Sequence, residues 1–187
     1  MKKSFLLLLA VLLPLCVYGQ SIQTNFYGIK IGKKYSPNKV KGMLLKESET
    51  KVSGDYKDRN GHNIEVEFVS FGGQRWDAVA CSLIPKNNRL YSVMFLNEYH
   101  DDFIKVSLSF VEVAAKLSTK YGDGLYTTTD EPITASYQWT DSNGMSIILK
   151  MVDLSDDDGN NPHQWVSLQY VNLNLLKELK QTTINEL

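Results

Sequence analysis

Cysteine is all but missing from this sequence. There are two in 187 residues, Cys16 and Cys81. Cys16 lies in a leader that we expect to be removed, so the remaining chain holds one thiol and closes no internal disulfide. Its stability must come from packing. Cys81 sits in the apolar run Trp76–Ile84 and reads as a small buried hydrophobe rather than a nucleophile.

Histidine is scarce as well. His62, His100 and His163 form no H-E-x-x-H pair, no cysteine pair supports zinc, and His62 and His163 flank turns, where they are expected to be solvated. His100-Asp101-Asp102 brings imidazole and carboxylate close in sequence, but adjacent residues seldom converge on one substrate, and a helix N-cap accounts for the aspartates. There is no G-x-S-x-G, the spacing around Gly28 and Gly32 is not that of a phosphate loop, and no dinucleotide-binding glycine fingerprint follows a strand. No catalytic residue and no cofactor is assigned.

Charge of one sign is lacking too. The chain has 20 basic and 21 acidic residues; without Lys2 and Lys3 it has 18 against 21, a net of −3. No basic stripe is present, so nucleic acid is not an expected partner. Charged residues at 22% and hydrophobic ones at 43% are ordinary for a folded domain and do not suggest disorder.

Long hydrophobic runs are limited to one, Phe5–Leu15, behind Lys2 and Lys3. It falls short of the ~20 residues that a membrane-spanning helix needs. With Val17-Tyr18-Gly19 after it, the pattern is that of a cleaved signal peptide over residues 1–19. The mature chain then begins near Gln20 as an exported protein, periplasmic or secreted, with no transmembrane segment. The rival is a lipid anchor on Cys16. The residue before a lipidated cysteine should be small, and Leu15 is not.

What is present is alternation. Ser36-Pro37 starts a short helix with Val40, Met43 and Leu44 on one face. Strands are expected over Lys51–Tyr56, His62–Phe71, Arg75–Ile84 and Arg89–Asn97, with a two-residue turn at Asn60-Gly61. In the second of these, Ile64, Val66 and Phe68 alternate against Glu65 and Glu67. A long helix follows over Phe103–Tyr121. Phe103, Val106, Phe110, Val113, Ala114 and Leu117 recur at helical spacing, and Ile104, Leu108, Val111 and Ala115 widen the apolar arc, predicting a deeply packed helix. A second strand set covers Ile133–Thr140, Met145–Val152 and His163–Leu173, with a turn at Asp141–Gly144, and a helix closes the chain over Leu175–Leu187.

These segments predict an α+β domain over 20–187: antiparallel meanders with packed helices, and a helix-plus-meander unit that occurs twice, in halves 26–100 and 101–187. The candidate binding residues are aromatic. Trp76, Tyr91, Tyr137, Trp139 and Trp165 fall on strands, where such rings serve either a core or a contact surface. The acidic stretch 153–160, with Asp156, Asp157 and Asp158, is the weaker candidate for calcium. An EF-hand loop with Gly159 as its glycine would need oxygen ligands at Leu154 and Trp165, and both fail.

The segments Phe26-x-Gly28-Ile29-x-Ile31-Gly32, Leu117-x-x-Lys120-Tyr121-Gly122, Tyr137-x-Trp139, Ile147-x-Leu149 and Val166-x-Leu168-x-Tyr170 carry a resemblance. The chain resembles uncharacterised exported proteins of Gram-negative gut bacteria. More distantly it is similar to the β-lactamase-inhibitor-like fold shared with small lipoproteins of outer-membrane assembly. That resemblance implies tandem helix-plus-meander units, although the helix pair of each unit looks reduced here to one helix. It transfers no binding residue. The expected function is a non-enzymatic module that presents a sheet face to another envelope or secreted protein. The alternatives are a small-ligand or calcium protein using 153–160, and a hydrolase with a cleft between the halves.

Overall fold

The structure, a computed structural model, describes residues 20–58, 61–99, 103–130, 133–154 and 163–185. A small hairpin of β1 (Asn25–Phe26) and β2 (Ile29–Lys30) precedes helix α1 (Pro37–Glu47). Then come β3 (Ser53–Asp58), β4 (Gly61–Phe71), β5 (Gln74–Leu83) and β6 (Leu90–Tyr99). Helix α2 (Phe103–Tyr121) leads to β7 (Leu125–Asp130), β8 (Ile133–Thr140), β9 (Met145–Asp153) and β10 (Gln164–Asn172). Helix α3 (Leu173–Asn185) is the last element. The fold is α+β, as expected from the sequence.

All eight long strands join one antiparallel sheet in the order β3-β4-β5-β6-β10-β9-β8-β7. Each half is a helix followed by a four-stranded meander, and the halves meet where their last strands pair, from Gln164 opposite Tyr99 to Val171 opposite Ser92. The seam is therefore a hydrogen-bonded ladder. On its helix-bearing side it is filled by rings: Phe71 stacks on Phe95 at 4.3 Å, and Phe26 of the β1–β2 hairpin lies 4.7 Å from Tyr170. A cleft between the halves, which a hydrolase would have used, is closed there.

One face of the sheet carries the core. Ile64, Val66, Val79, Phe95, Ile147, Leu149, Val166 and Leu168 point to it and meet Val40 and Leu44 of α1 and Val106, Phe110, Val113 and Leu117 of α2. Helix α1 starts as predicted, with Ser36 at the N-cap and Pro37 next, but the hydroxyl makes no cap bond; the Ser36 carbonyl accepts from Lys39 and Val40 instead. Helix α2 ends at Gly122, whose N–H bonds the Ser118 carbonyl at a φ of 80°.

Three expectations need correction. Phe68 does not continue the inward series of Ile64 and Val66. Its φ is 49°, which reverses the alternation, so Val69 turns inward while Phe68 is half-buried under the Arg75 guanidinium at 4.4 Å. Helix α2 is not packed all round, because Ile104, Leu108, Val111 and Ala115 are exposed. His62 is not solvated: it is buried and bonds the Asp55 carboxylate at 2.6 Å.

Among the described residues no helix is long and apolar enough to cross a membrane.

Candidate functional site

The sheet's second face is where the covering stops. Helix α3 packs over one end only, where Leu175 and Leu179 meet Ile84, Tyr91 and Val171. Tyr91 reaches that side because of a bulge: Leu83 pairs with Leu90 and Ser82 with Ser92, leaving Tyr91 as the extra residue turned toward α3.

Beyond α3 no described element covers the face, and cross-strand register defines its rows. One row runs Glu65, Ala80, Met94, Gln169, Ile148 across five strands. The next runs Glu67, Ala78, Leu96, Ser167, Lys150. At the edge of the open area Trp165 stands between Glu98 and Val152, half-buried, with the His163 ring 5.3 Å away. Ala78, Ala80 and Ser167 in the middle of the face are themselves buried, and the half-buried side chains of Met94, Leu96, Gln169 and Ile148 form its accessible part.

The charge on this face is one-sided. Glu65, Glu67 and Glu98 gather toward the β4–β6 side, while Lys150 lies across on β9. Burial raises the Glu65 pKa above its ordinary value, and the neighbouring Glu67 and Glu98 carboxylates raise it further. A raised carboxyl pKa in the folded state means that the folded protein holds this proton more tightly than the unfolded chain does. The associated stabilisation is present below the ordinary glutamate range and is lost as pH rises through the raised pKa. Glu65→Gln is therefore expected to raise the melting temperature at pH ~7, with the gain shrinking toward zero at pH ~4. Melting curves of the two proteins at both pH values check this; an equal gain at both would mean that the charge is not its source.

The sequence-predicted aromatics separate into two groups. Trp76, Tyr91 and Trp139 are buried, each with its polar atom engaged. Trp76 Nε1–H donates to the Phe71 carbonyl at 3.2 Å and Trp139 Nε1–H to the Gly122 carbonyl at 2.8 Å, while the Tyr91 hydroxyl bonds Ser82. Trp139 is covered so closely that a Cβ on Gly124 would lie 2.6 Å from its ring. These three are framework, not contact surface. Tyr137 and Trp165 stay half-buried, but on opposite faces of the sheet: Tyr137 lies on the helix side beside Tyr126 at 4.9 Å and Phe110 at 5.8 Å. The structure thus brings no two of the five into one exposed site.

Asp156, Asp157, Asp158 and His100 lie outside the described residues. Among those described, no group of three His, Cys, Asp or Glu side chains is placed to hold a metal ion. Cys81 is fully buried, and burial pushes its thiol pKa up to about 12, which keeps it protonated and unreactive. The residues that sequence reading missed are Met94, Leu96, Gln169 and the acidic trio. Their signal was available as the polar or small half of each alternating strand.

A separate cavity of about 630 Å³ opens beside the first described residues, between Gln20, Tyr121, Asp123, Gln138, Trp139 and Asp141. Asp141 is already committed there. Its carboxylate accepts from the N–H groups of Asn143 and Met145 through Oδ1 and of Ile22 through Oδ2.

Comparison with known proteins finds no protein family, no curated protein and no solved structure that matches the chain.

Proposed function

We propose that this is an exported, non-enzymatic binding module that docks another envelope or secreted protein on the open face of its sheet. The observation that carries the reading is the half-buried group Met94, Leu96 and Gln169, which no described element covers beyond α3 and which Trp165, Glu65, Glu67 and Glu98 border. Such a face fits a partner with a low-relief, partly apolar surface and a cationic side chain aimed at the carboxylates. Export rests on the leader over residues 1–19. The likeness to the β-lactamase-inhibitor-like fold belongs to the same reading and rests on the short sequence motifs alone.

The test is capture from envelope and culture extracts on immobilised residues 20–187, run in parallel with Trp165→Ala and with Glu65→Lys/Glu98→Lys. One stoichiometric protein that is retained by the parent and lost by both variants supports the reading. A partner retained equally by all three overturns this face as the site.

The cavity beside Gln20 favours a second reading, a small-ligand protein, because its volume lies in the range of ligand sites and Asp123 and Gln138 line it. A thermal shift with a small molecule that Gln138→Ala abolishes, together with no protein captured, would favour it.

A further inference from the structure

Helix α2 has two apolar faces, and one has no cover within the described chain. Val106, Phe110, Val113 and Leu117 turn to the sheet. Ile104, Leu108 and Val111 are 73%, 65% and 61% exposed, and Ala115 continues their line. Intervals of four, three and four residues are those of a helix-pairing seam, in which each side chain fills a hole on a facing helix. The stripe continues into a groove of about 320 Å³ between Val111, Ala115, Tyr126 and Tyr137. A contiguous apolar surface of this kind differs from scattered exposed leucines and marks a contact.

We infer that a second copy of this chain covers the stripe, its α2 running antiparallel across a two-fold axis. The argument is self-complementarity. Centring the axis between Leu108 and Val111 sets Leu108 of each copy against Val111 of the other, and Ile104 against Ala115. Each level then pairs a larger side chain with a smaller one. Lys105 and Glu112 border the stripe on its solvent side, seven positions apart. The antiparallel arrangement keeps this flank of both copies on one side of the interface and brings Lys105 of one copy beside Glu112 of the other at both ends, while a parallel two-fold would carry the two flanks to opposite sides and pair neither charge. Glu112 already bonds Lys116 of its own helix at 2.7 Å, on the polar side of α2. The contact is isologous, so it closes at two copies. It lies on the opposite side of the sheet from the open face and leaves that face available.

Sedimentation velocity on residues 20–187, over a range of protein concentrations, tests this. The expected result is a monomer–dimer equilibrium. Leu108→Lys should raise the dissociation constant by roughly tenfold or more, because it places an unpaired cation in the seam. It should leave the melting temperature of the monomer unchanged, since position 108 is exposed. Lys105→Glu and Glu112→Lys should each weaken the dimer, and the double exchange should restore it. A chain that stays monomeric at every concentration overturns the proposal. So does a dimer indifferent to Leu108→Lys, or a charge exchange that fails to restore it.

Discussion

Replacing Trp76 by alanine is expected to cost about 3–5 kcal/mol of stability, as full removal of a buried tryptophan does. The residue is 1% exposed, its ring lies 5.6 Å from that of Phe95, and its indole N–H donates to the Phe71 carbonyl. The substitution opens a cavity beside the rings that fill the seam and leaves the partly buried Phe71 carbonyl without its indole donor. Trp165→Ala removes a ring of the same size from the half-buried outer face and should cost about 1 kcal/mol or less. Urea or guanidinium unfolding of both variants measures the contrast. Equal losses would mean that Trp165 is as much a part of the framework as Trp76.

Gly61→Ala should be nearly as damaging, although it adds only a methyl group. The φ of Gly61 is 134°, a conformation essentially confined to glycine and worth about 1–3 kcal/mol to any other residue. Its added Cβ would also lie 2.5 Å from the Leu83 carbonyl oxygen, a backbone atom on the adjacent strand that has no side-chain freedom with which to retreat. Relief requires opening the β4–β5 ladder where His62 pairs with Leu83. A loss of about 3 kcal/mol corresponds to a fall in Tm of roughly 6–12 °C for a domain of this size, read by calorimetry. A change of only a degree or two would show that the hairpin end can shift at little cost.

Much of the fold was legible because most strands here have one wet side. The alternation of Ile64 and Val66 against Glu65 and Glu67, and the apolar series Met145, Ile147, Leu149 and Met151, each declare a strand and an inward face. The turn glycines declare the hairpins between them. Strand β7 was missed because it has no alternation to read: Leu125, Tyr126 and the threonines after it lie at the sheet edge, with both sides open. Phe68 was misassigned because its positive φ is set by packing on both sides of the strand, and nothing in the local composition announces it.

The candidate site was harder to read for a different reason. Apolar periodicity on α2 is the same signal whether a residue faces its own sheet or another molecule, so Leu108 and Phe110 looked equivalent in sequence and are opposite in exposure. Tryptophans on strands pose a similar ambiguity. Only register shows that Trp139 sits opposite Ile147 in the core, while Trp165 sits opposite Glu98 outside it. The second face itself mixes glutamate, alanine and serine with single apolar residues such as Met94, Leu96 and Ile148, which draw no notice one at a time.

The β6–β10 ladder also bears on how this chain finds its structure. Within each half, strands pair with their neighbours along the chain, and closing such short loops costs little entropy. The ladder between the halves joins residues from 65 positions apart, at Tyr99 and Gln164, to 79 apart, at Ser92 and Val171. Its closure entropy is the larger, so the topology favours meanders that form first from local contacts and a ladder that closes after them. Until that ladder closes, β6 and β10 are both unpaired edges facing solvent, and the newly made chain is at its most vulnerable to pairing with the wrong strand.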